Sequence, residues 1–532
     1  MPARSRKSFL FLHSAVLIIS ASLLNGCASQ RVARELTQVE NISNLNPKKK
    51  YLKVHLTDGR LYVLHTWRIN SADRKVIGLG NYLDVNRRII ESRGSSEKNQ
   101  KVKGNFQSFL ISYDDIVIIE TNDKGKPAGL AALLTVGALT TTASIFCVAN
   151  PKACFGSCPT FYIEHDTVSK LVAEGFSSSI GRALQEKDVD LINFPMQKDS
   201  SLKITVKNEA LETHMIQKIS LLVVPKDPAS KVLQEMNGDF YEVSNIQSPI
   251  TTEWNRTDIL RYVKGRDEWE WFSLADSFDL TAKEEIFLEF PNPGKEIAFI
   301  IDKRQTLMTT FLFYHSLALM GRGAAYYMTQ METSKPYLRK RVTHVYDLLG
   351  GIDIYVANQK GSWDFVNSVR EAGPIVSDTH LVRIPPVSGE TVKVRLRMTK
   401  GLWRINSTSV ANVKKKVIPQ RLAPALVTKD GVADDSARLK MTGSKDYLVT
   451  FPGDVYDIMF DGEYTSDNEY FIESEGYYIE WMREEWLRDE NIRQVKRIIM
   501  FPSAYLKRMA AHYKIAEPQM EKTFWNSKYT SH

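Results

Sequence analysis

Residues 392–413, VKVRLRMTKGLWRINSTSVANV, read as two β-strands joined at Lys400-Gly401. Val392, Val394, Leu396 and Met398 alternate with Lys393, Arg395 and Arg397, and beyond the turn Trp403 and Ile405 alternate with Arg404 and Asn406. Successive side chains of a strand point to opposite faces, so each strand here has one core-facing row and one solvent-facing row. The same alternation continues upstream in GGIDIYVAN, SWDFVNSV and HLVRIPP. Downstream, DYLVTFPGDVYDIMFD (446–461) repeats it, with Pro452-Gly453-Asp454 at the turn. From residue 200 onward LKITVKNEA, KISLLVVPK, DFYEVSNI and EIFLEFPNPGKEIAFIIDK are broken by Asn, Pro and Gly, which marks antiparallel sheets.

Two regions depart from this pattern. Residues 306–332, TLMTTFLFYHSLALMGRGAAYYMTQME, carry apolar side chains at helical spacing. Residues 477–501 and 503–529 are charge-rich and helical in pattern, with Tyr478, Trp481, Met482 and Trp486 as an aromatic stripe suited to docking on the chain's own β-structure. Near the N-terminus, YLKVHLTDGRLYVLHTWRI alternates on both sides of Asp58-Gly59, a hairpin signal. RKVIGLGNYLDV and FLISYDDIVIIETN follow, and several short strands in so few residues suggest a small barrel.

The first residues set the compartment. Arg4, Arg6 and Lys7 precede the apolar run FLFLHSAVLIISASLL (9–24), and Leu24-Asn25-Gly26 leads into Cys27. This is the layout of a secretory signal. It resembles the bacterial lipoprotein signal, in which the cysteine is acylated and becomes the mature N-terminus. The resemblance implies lipidation of Cys27 and membrane anchorage, since each buried methylene contributes about 0.8 kcal/mol. Ala28, not an acidic residue, follows Cys27, which by analogy with enteric sorting implies the outer membrane, facing the periplasm.

Composition is that of ordinary globular protein, 43% apolar and 25% charged. Losing Arg4, Arg6 and Lys7 with the leader takes the formal charge from +8 to +5, too mild for a nucleic-acid partner. Beyond Cys27 the cysteines are Cys147, Cys154 and Cys158. A Cys154–Cys158 disulfide and a packed turn of free thiols are both open, because spacing alone does not fix pairing. Residues 127–151 hold no charged side chain. A buried helix, a helical hairpin broken near Gly137 and a membrane span compete for this segment.

The expected division is a signal peptide (1–26), a lipid-anchored tether (27–50), a small barrel (51–126), the apolar helical segment (127–151), a β-rich domain (152–305), a helical insertion (306–340), a β-domain (341–461) and a helical C-terminal region (462–532). The fold class is mainly β with α. The 51–126 pattern resembles SH3-like or Sm-like barrels, and the order of strands through 341–461 resembles a galactose-binding-like jelly roll. Such domains end in paired strands of the kind read at 392–413. Taken together, ACFGSCPTFY (153–162), AEGFSSSI (173–180), KNEALETHMIQKISLLVV (207–224), EAGPIV (371–376), RLRMTKGLWRI (395–405), GYYIEWMREEW (476–486) and FWNSKY (524–529) are similar to a family of uncharacterised bacterial envelope lipoproteins. The resemblance implies a multidomain secreted β-protein and carries over no catalytic residue.

Chemistry is sparse. HExxH, GxSxG, GxxxxGK[ST] and GxGxxG are all absent. Ser200-x-x-Lys203 has acyl-enzyme spacing but stands at a strand entry without companion motifs. Asp267-Glu-Trp-Glu-Trp-Phe272 has the residue types of a sugar subsite, against the plainer reading of an exposed hairpin with anchoring rings. No catalytic residue, metal ligand or cofactor is assigned. The leading reading is a lipid-anchored envelope protein with binding or scaffolding β-domains, whose partners are the membrane and a glycan or envelope protein. A glycan-binding module using Trp363 and Trp403 of the jelly-roll-like region is the alternative, and a cell-wall or polysaccharide hydrolase stands behind both.

Overall fold

Residues 392–413 form the two strands their alternation requires, Thr391–Thr399 and Trp403–Val417, but these strands do not pair with each other. Thr391–Thr399 pairs with Lys283–Pro291 and Ile352–Ala357 in one sheet. Trp403–Val417 pairs with Ile297–Gln305 and Phe240–Gln247 in the facing sheet. The turn therefore crosses the core instead of closing a hairpin. Gly401 has φ +74°, and a Cβ there would lie 2.3 Å from the Ala275 backbone nitrogen, so the crossing needs glycine. Val394, Leu396 and Met398 from one layer meet Trp403, Ile405 and Val410 from the other in a single core.

The computed structural model describes residues 32–37, 39–46, 52–56, 60–83, 89–92, 109–124, 158–165, 168–195, 199–210, 212–321, 324, 327, 336–370, 373–443, 445–480 and 489–526. The leader, Cys27, the apolar segment 127–151, Cys147 and Cys154 lie outside them. No helix among the described residues is long and apolar enough to cross a membrane.

The chain is mainly β, and two sandwiches carry most of it, one inserted into the other. The outer sandwich faces a six-stranded sheet, built around Asp199–Lys207 and Val455–Tyr464, against a five-stranded sheet built around Glu212–Pro225 and Asn468–Glu480. Ile204, Val206, Ile219, Leu221, Ile458 and Phe460 lie between them. Between Glu212–Pro225 and Gln420–Leu422 the chain leaves to build the inner sandwich, from Lys231–Glu235 to Trp403–Val417. In one of its sheets five strands close into a ring: Phe240–Gln247, Lys231–Glu235, Asp378–Ile384, Ile297–Gln305 and Trp403–Val417, whose far end pairs back onto Phe240–Gln247. Small side chains, Ala298 and Ala411, face the ring's narrow interior beside Leu233, Ile300 and Leu381.

The expected boundaries at 305 and 341 fall inside this inner sandwich, because Ile297–Gln305 pairs with Asp378–Ile384. The boundary at 461 cuts Val455–Tyr464, and the expected helical region from 462 begins with the strand Asn468–Glu480, which holds Tyr478. Trp481, Met482 and Trp486 lie outside the described residues.

The N-terminal unit is a seven-stranded half-barrel, ordered Val32–Thr37, Ile116–Lys124, Leu52–Leu56, Leu61–Asn70, Lys75–Leu83 and Ile89–Ser92, with Phe109–Ser112 also on Lys75–Leu83. The strands flanking Asp58-Gly59 pair as expected. Structure begins earlier than expected: Val32–Thr37 pairs with Ile116–Lys124, and Ile42 and Leu45 are buried in the unit's core, so much of the anticipated tether is folded.

Among the described residues, four helices cover one end of the inner sandwich: α1 (Met308–Met320), α2 (Pro336–Leu349), α3 (Ile492–Met500) and α4 (Pro502–Asn526). The C-terminal pair docks on the inserted pair. The Phe311 and Tyr513 rings lie 5.4 Å apart, and the Asn491 amide donates to the Leu319 carbonyl at 2.8 Å. Phe311, Leu317, Leu506 and Met509 all join the sandwich core, so the helices belong to that domain's hydrophobic interior.

Candidate functional site

The two tryptophans singled out by sequence have different fates. Trp403 is 2% exposed, packed in the inner sandwich core, and presents no face to a ligand. It shares its strand's inward row with Ile405, two residues on, so alternation turns it from solvent. Trp363 lies on the outer face of the opposite sheet and is half-buried. It stands at the edge strand Trp363–Val369, directly opposite Ala357, and that small partner leaves room for the indole to lie over the sheet.

Around Trp363 the pairing register lines up a row of flat side chains. Phe287 is opposite Arg395, Arg395 is opposite Tyr355, and Tyr355 is opposite Phe365. The row crosses four strands, about 14 Å at the usual strand spacing. Arg395 lies 4.3 Å from the centre of the Tyr355 ring and 5.3 Å from that of Trp363. Phe287 approaches Trp363 at 5.7 Å, and Phe365 meets Tyr355 edge-on at 5.5 Å. Phe365 is 59% exposed, so the row is open to solvent. Its charges are internally paired: Arg395 with Glu285 at 3.4 Å and Lys393 with Glu289 at 3.8 Å. The surface is aromatic, flat and close to neutral, bordered by groups able to make hydrogen bonds.

A second feature was not read from sequence. A cleft of about 380 Å³ lies where the outer sandwich meets the inner sandwich and helices α1 and α2. Glu174, at the end of strand Val168–Glu174, lines it and is 4% exposed. Its Oε2 accepts from the amides of Ile375 at 2.8 Å and Val376 at 3.4 Å, which ties one sandwich to the other. Gly373 permits this approach, because a Cβ there would come within 2.2 Å of that oxygen. Burial pushes the Glu174 carboxyl up to about 7, against the pull of those two amides, Cys158 and Arg304.

Cys158 also lines the cleft. It is buried and makes no disulfide among the described residues, and Cys154, its expected partner, lies outside them. The thiol faces Glu174 and Tyr478 inside folded structure, and burial, reinforced by Glu174 and Glu212, pushes its pKa up. It is therefore a protonated thiol at neutral pH. Glu212 and His214 pair at 2.7 Å in full burial nearby, on the strand that also pairs with Tyr478. Five of the segments that carried the family resemblance supply residues to this cleft: Cys158, Glu174, Gly373, Leu402 and Tyr478. Those segments were legible as distinctive, but only the fold shows that they meet.

The remaining candidates are structural in their settings. Glu270 of the acidic–aromatic stretch binds Arg304 through two 2.7 Å hydrogen bonds, Trp271 is in the core, and Trp269 is exposed beneath Arg261. Lys203 of the SxxK spacing pairs with Glu164 at 2.5 Å. Among the described residues no group of His, Cys, Asp and Glu is placed to hold a metal ion.

The shifted carboxyl of Glu174 predicts a pH signature. A folded-state value near 7, above the usual 4.5, means stability that is fully present below about 4.5 and lost as pH rises through 7. The shift corresponds to roughly 3 kcal/mol. Thermal melts from pH 5 to 8 should show a falling midpoint in the native chain and a flatter profile in Glu174→Gln. Identical slopes in the two proteins would contradict this assignment.

No family model matches the chain, and no curated protein matches it. Among solved structures, a GH31 α-xylosidase from Xanthomonas citri aligns at 8% identity over 84% of this chain and 36% of that one, with a TM-score of 0.12. A triple jelly-roll protein of an archaeal virus turret aligns at 8% identity over 61% of this chain and 89% of that one, with a TM-score of 0.14. This chain thus spans about a third of the xylosidase's length.

Proposed function

We propose that this protein is a lipid-anchored bacterial envelope protein that holds a neutral glycan on the outer face of its inner sandwich. The observation that carries the glycan reading is the row Phe287–Arg395–Tyr355–Phe365 with Trp363 lying beside it. Aromatic rings stack on the apolar faces of sugars, and the paired charges beside them serve their hydroxyls. Internal pairing of Arg395 and Lys393 leaves little field for an anionic polymer. A flat, open face suits a polymer chain better than a small molecule, which calls for a concave pocket.

The envelope part of the reading rests on residues 1–27. Cys27→Ala is expected to abolish labelling by a clickable fatty acid and to move the protein from the membrane to the soluble fraction. Unchanged fractionation would reject the anchor. The glycan part is tested by affinity electrophoresis of the mature chain through gels containing neutral polysaccharides. Retardation by at least one of them is expected. Migration identical to the polysaccharide-free gel in every case would count against it.

A further inference from the structure

We propose that the cleft between the two sandwiches is a separate ligand site for an organic cation, an amine or quaternary ammonium carried on an apolar body. Its volume of about 380 Å³ falls within the range of small-molecule sites, about 300–1,000 Å³. One wall is aromatic: Phe313 and Tyr314 from α1 and Tyr346 from α2. Such faces attract cations. The charged lining is unbalanced. Glu174, Glu186 and Asp347 are acidic, Asp347 lying 3.8 Å from His344; Arg370, exposed at the rim, is the basic lining residue, and Lys283 stands behind the lining, donating to the Leu349 carbonyl.

Glu174 is the recognition group in this site. It makes no salt bridge among the described residues, although it is almost fully buried. The nearby cation, Arg304, is held by two hydrogen bonds to Glu270 and donates a third to the Pro374 carbonyl. Further acids stand behind the lining: Glu212, and Glu480, which accepts from Tyr314. A buried carboxylate lacking a partner charge is costly, and an ammonium ligand would supply that charge. The groups facing Glu174 are Cys158 and Tyr478, both held neutral by burial, with Arg304 and the amides of Ile375 and Val376. Among the groups just named Glu174 is the one held near 7, and cation binding should follow its ionisation.

The test is calorimetric titration of the full chain with 4-phenylbutylamine, its neutral counterpart 4-phenylbutan-1-ol and its acidic counterpart 4-phenylbutyrate, at pH 6 and pH 8. The amine should bind at least tenfold more tightly than the alcohol, and the carboxylate least. Amine affinity should rise by up to about tenfold from pH 6 to pH 8, following a group titrating near 7. Glu174→Gln should remove both the amine preference and the pH dependence. Thr310→Trp, which fills the cleft away from the Glu174 hydrogen bonds, should abolish binding of all three. Equal binding of the probes, preference for the carboxylate, absence of saturable amine binding, or an amine preference that survives in Glu174→Gln would each overturn the proposal. The glycan face is remote in chemistry from this site, and neither outcome bears on it.

Discussion

Replacing Lys303 by methionine is expected to destabilise the inner sandwich by about 3 kcal/mol, the lower end of the cost of breaking a buried charge pair, because His380 still faces the carboxylate left behind. Lys303 is fully buried on Ile297–Gln305, directly across from Asp378. Its Nζ lies 3.2 Å from Asp378 Oδ2 and 3.1 Å from His380 Nδ1, and His380 lies 2.9 Å from the same carboxylate oxygen. Burial pushes the Asp378 carboxyl up, but His380 and Lys303 outweigh it and hold the group well below the usual carboxylate range. The stability that this depression contributes is present above pH 4 and is lost as the carboxylate is protonated at lower pH. A domain stable by about 5–15 kcal/mol would lose a large share of its margin in Lys303→Met. Denaturant titration of the full chain should show the inner sandwich unfolding earlier, with the half-barrel unaffected. The double change Lys303→Met with Asp378→Leu should recover part of the loss, because replacing both members of a buried pair is often neutral. An unchanged midpoint in the single variant would contradict the assignment.

Trp363→Ala combined with Phe365→Ala is expected to weaken glycan binding by thirtyfold or more, since even one aromatic hot spot contributes about 2 kcal/mol or more. Phe365 is well exposed, and Trp363 lies over the outer face of the sheet, so their removal leaves the core contacts of Ile354, Val356 and Leu396 in place. The melting midpoint should therefore fall only slightly while binding is lost. The control is Trp269→Ala, an exposed ring on another surface, which should leave binding unchanged. Equal losses in the two proteins would show that surface aromatic rings in general, not this row, hold the glycan.

The strands themselves were legible because alternation depends only on which side of a strand meets the core. Their partners were not. Two turns that read as paired strands or a hairpin, at 400–402 and 451–454, carry the chain from one sheet to the facing one, and so does the Asn/Pro/Gly break at 292–296. Asn, Pro and Gly mark a reversal in either case, and nothing local tells a crossing from a hairpin. The nesting of one sandwich in the other was hidden for the same reason: Glu212–Pro225 pairs with Asn468–Glu480, two strands separated by the entire inner domain. Helix α1 falls inside the stretch read as helical, although it is apolar on all sides rather than along one stripe, as a helix buried between layers is. Tyr478 fitted helical spacing yet lies on a strand, since apolar residues dense enough to satisfy both periods do not discriminate.

The site followed the same rule. Trp363 and Trp403 were singled out alike by residue type, yet the first lies on an outer face and the second in the core, because an isolated indole does not reveal which face of its strand it occupies. Phe287, Tyr355, Phe365 and Arg395 were missed: they come from four strands and form a row only through the pairing register. Glu174 was missed because a single acid in AEGFSSSI gives no sign of its burial.

A glycan array probed with the full chain tests the central claim most directly. Signal is expected on neutral oligosaccharides, lost when Trp363 and Phe365 are both alanine and retained in Trp269→Ala. No signal above background on any neutral glycan, or equal signal from the Trp363/Phe365 double variant, would contradict the account.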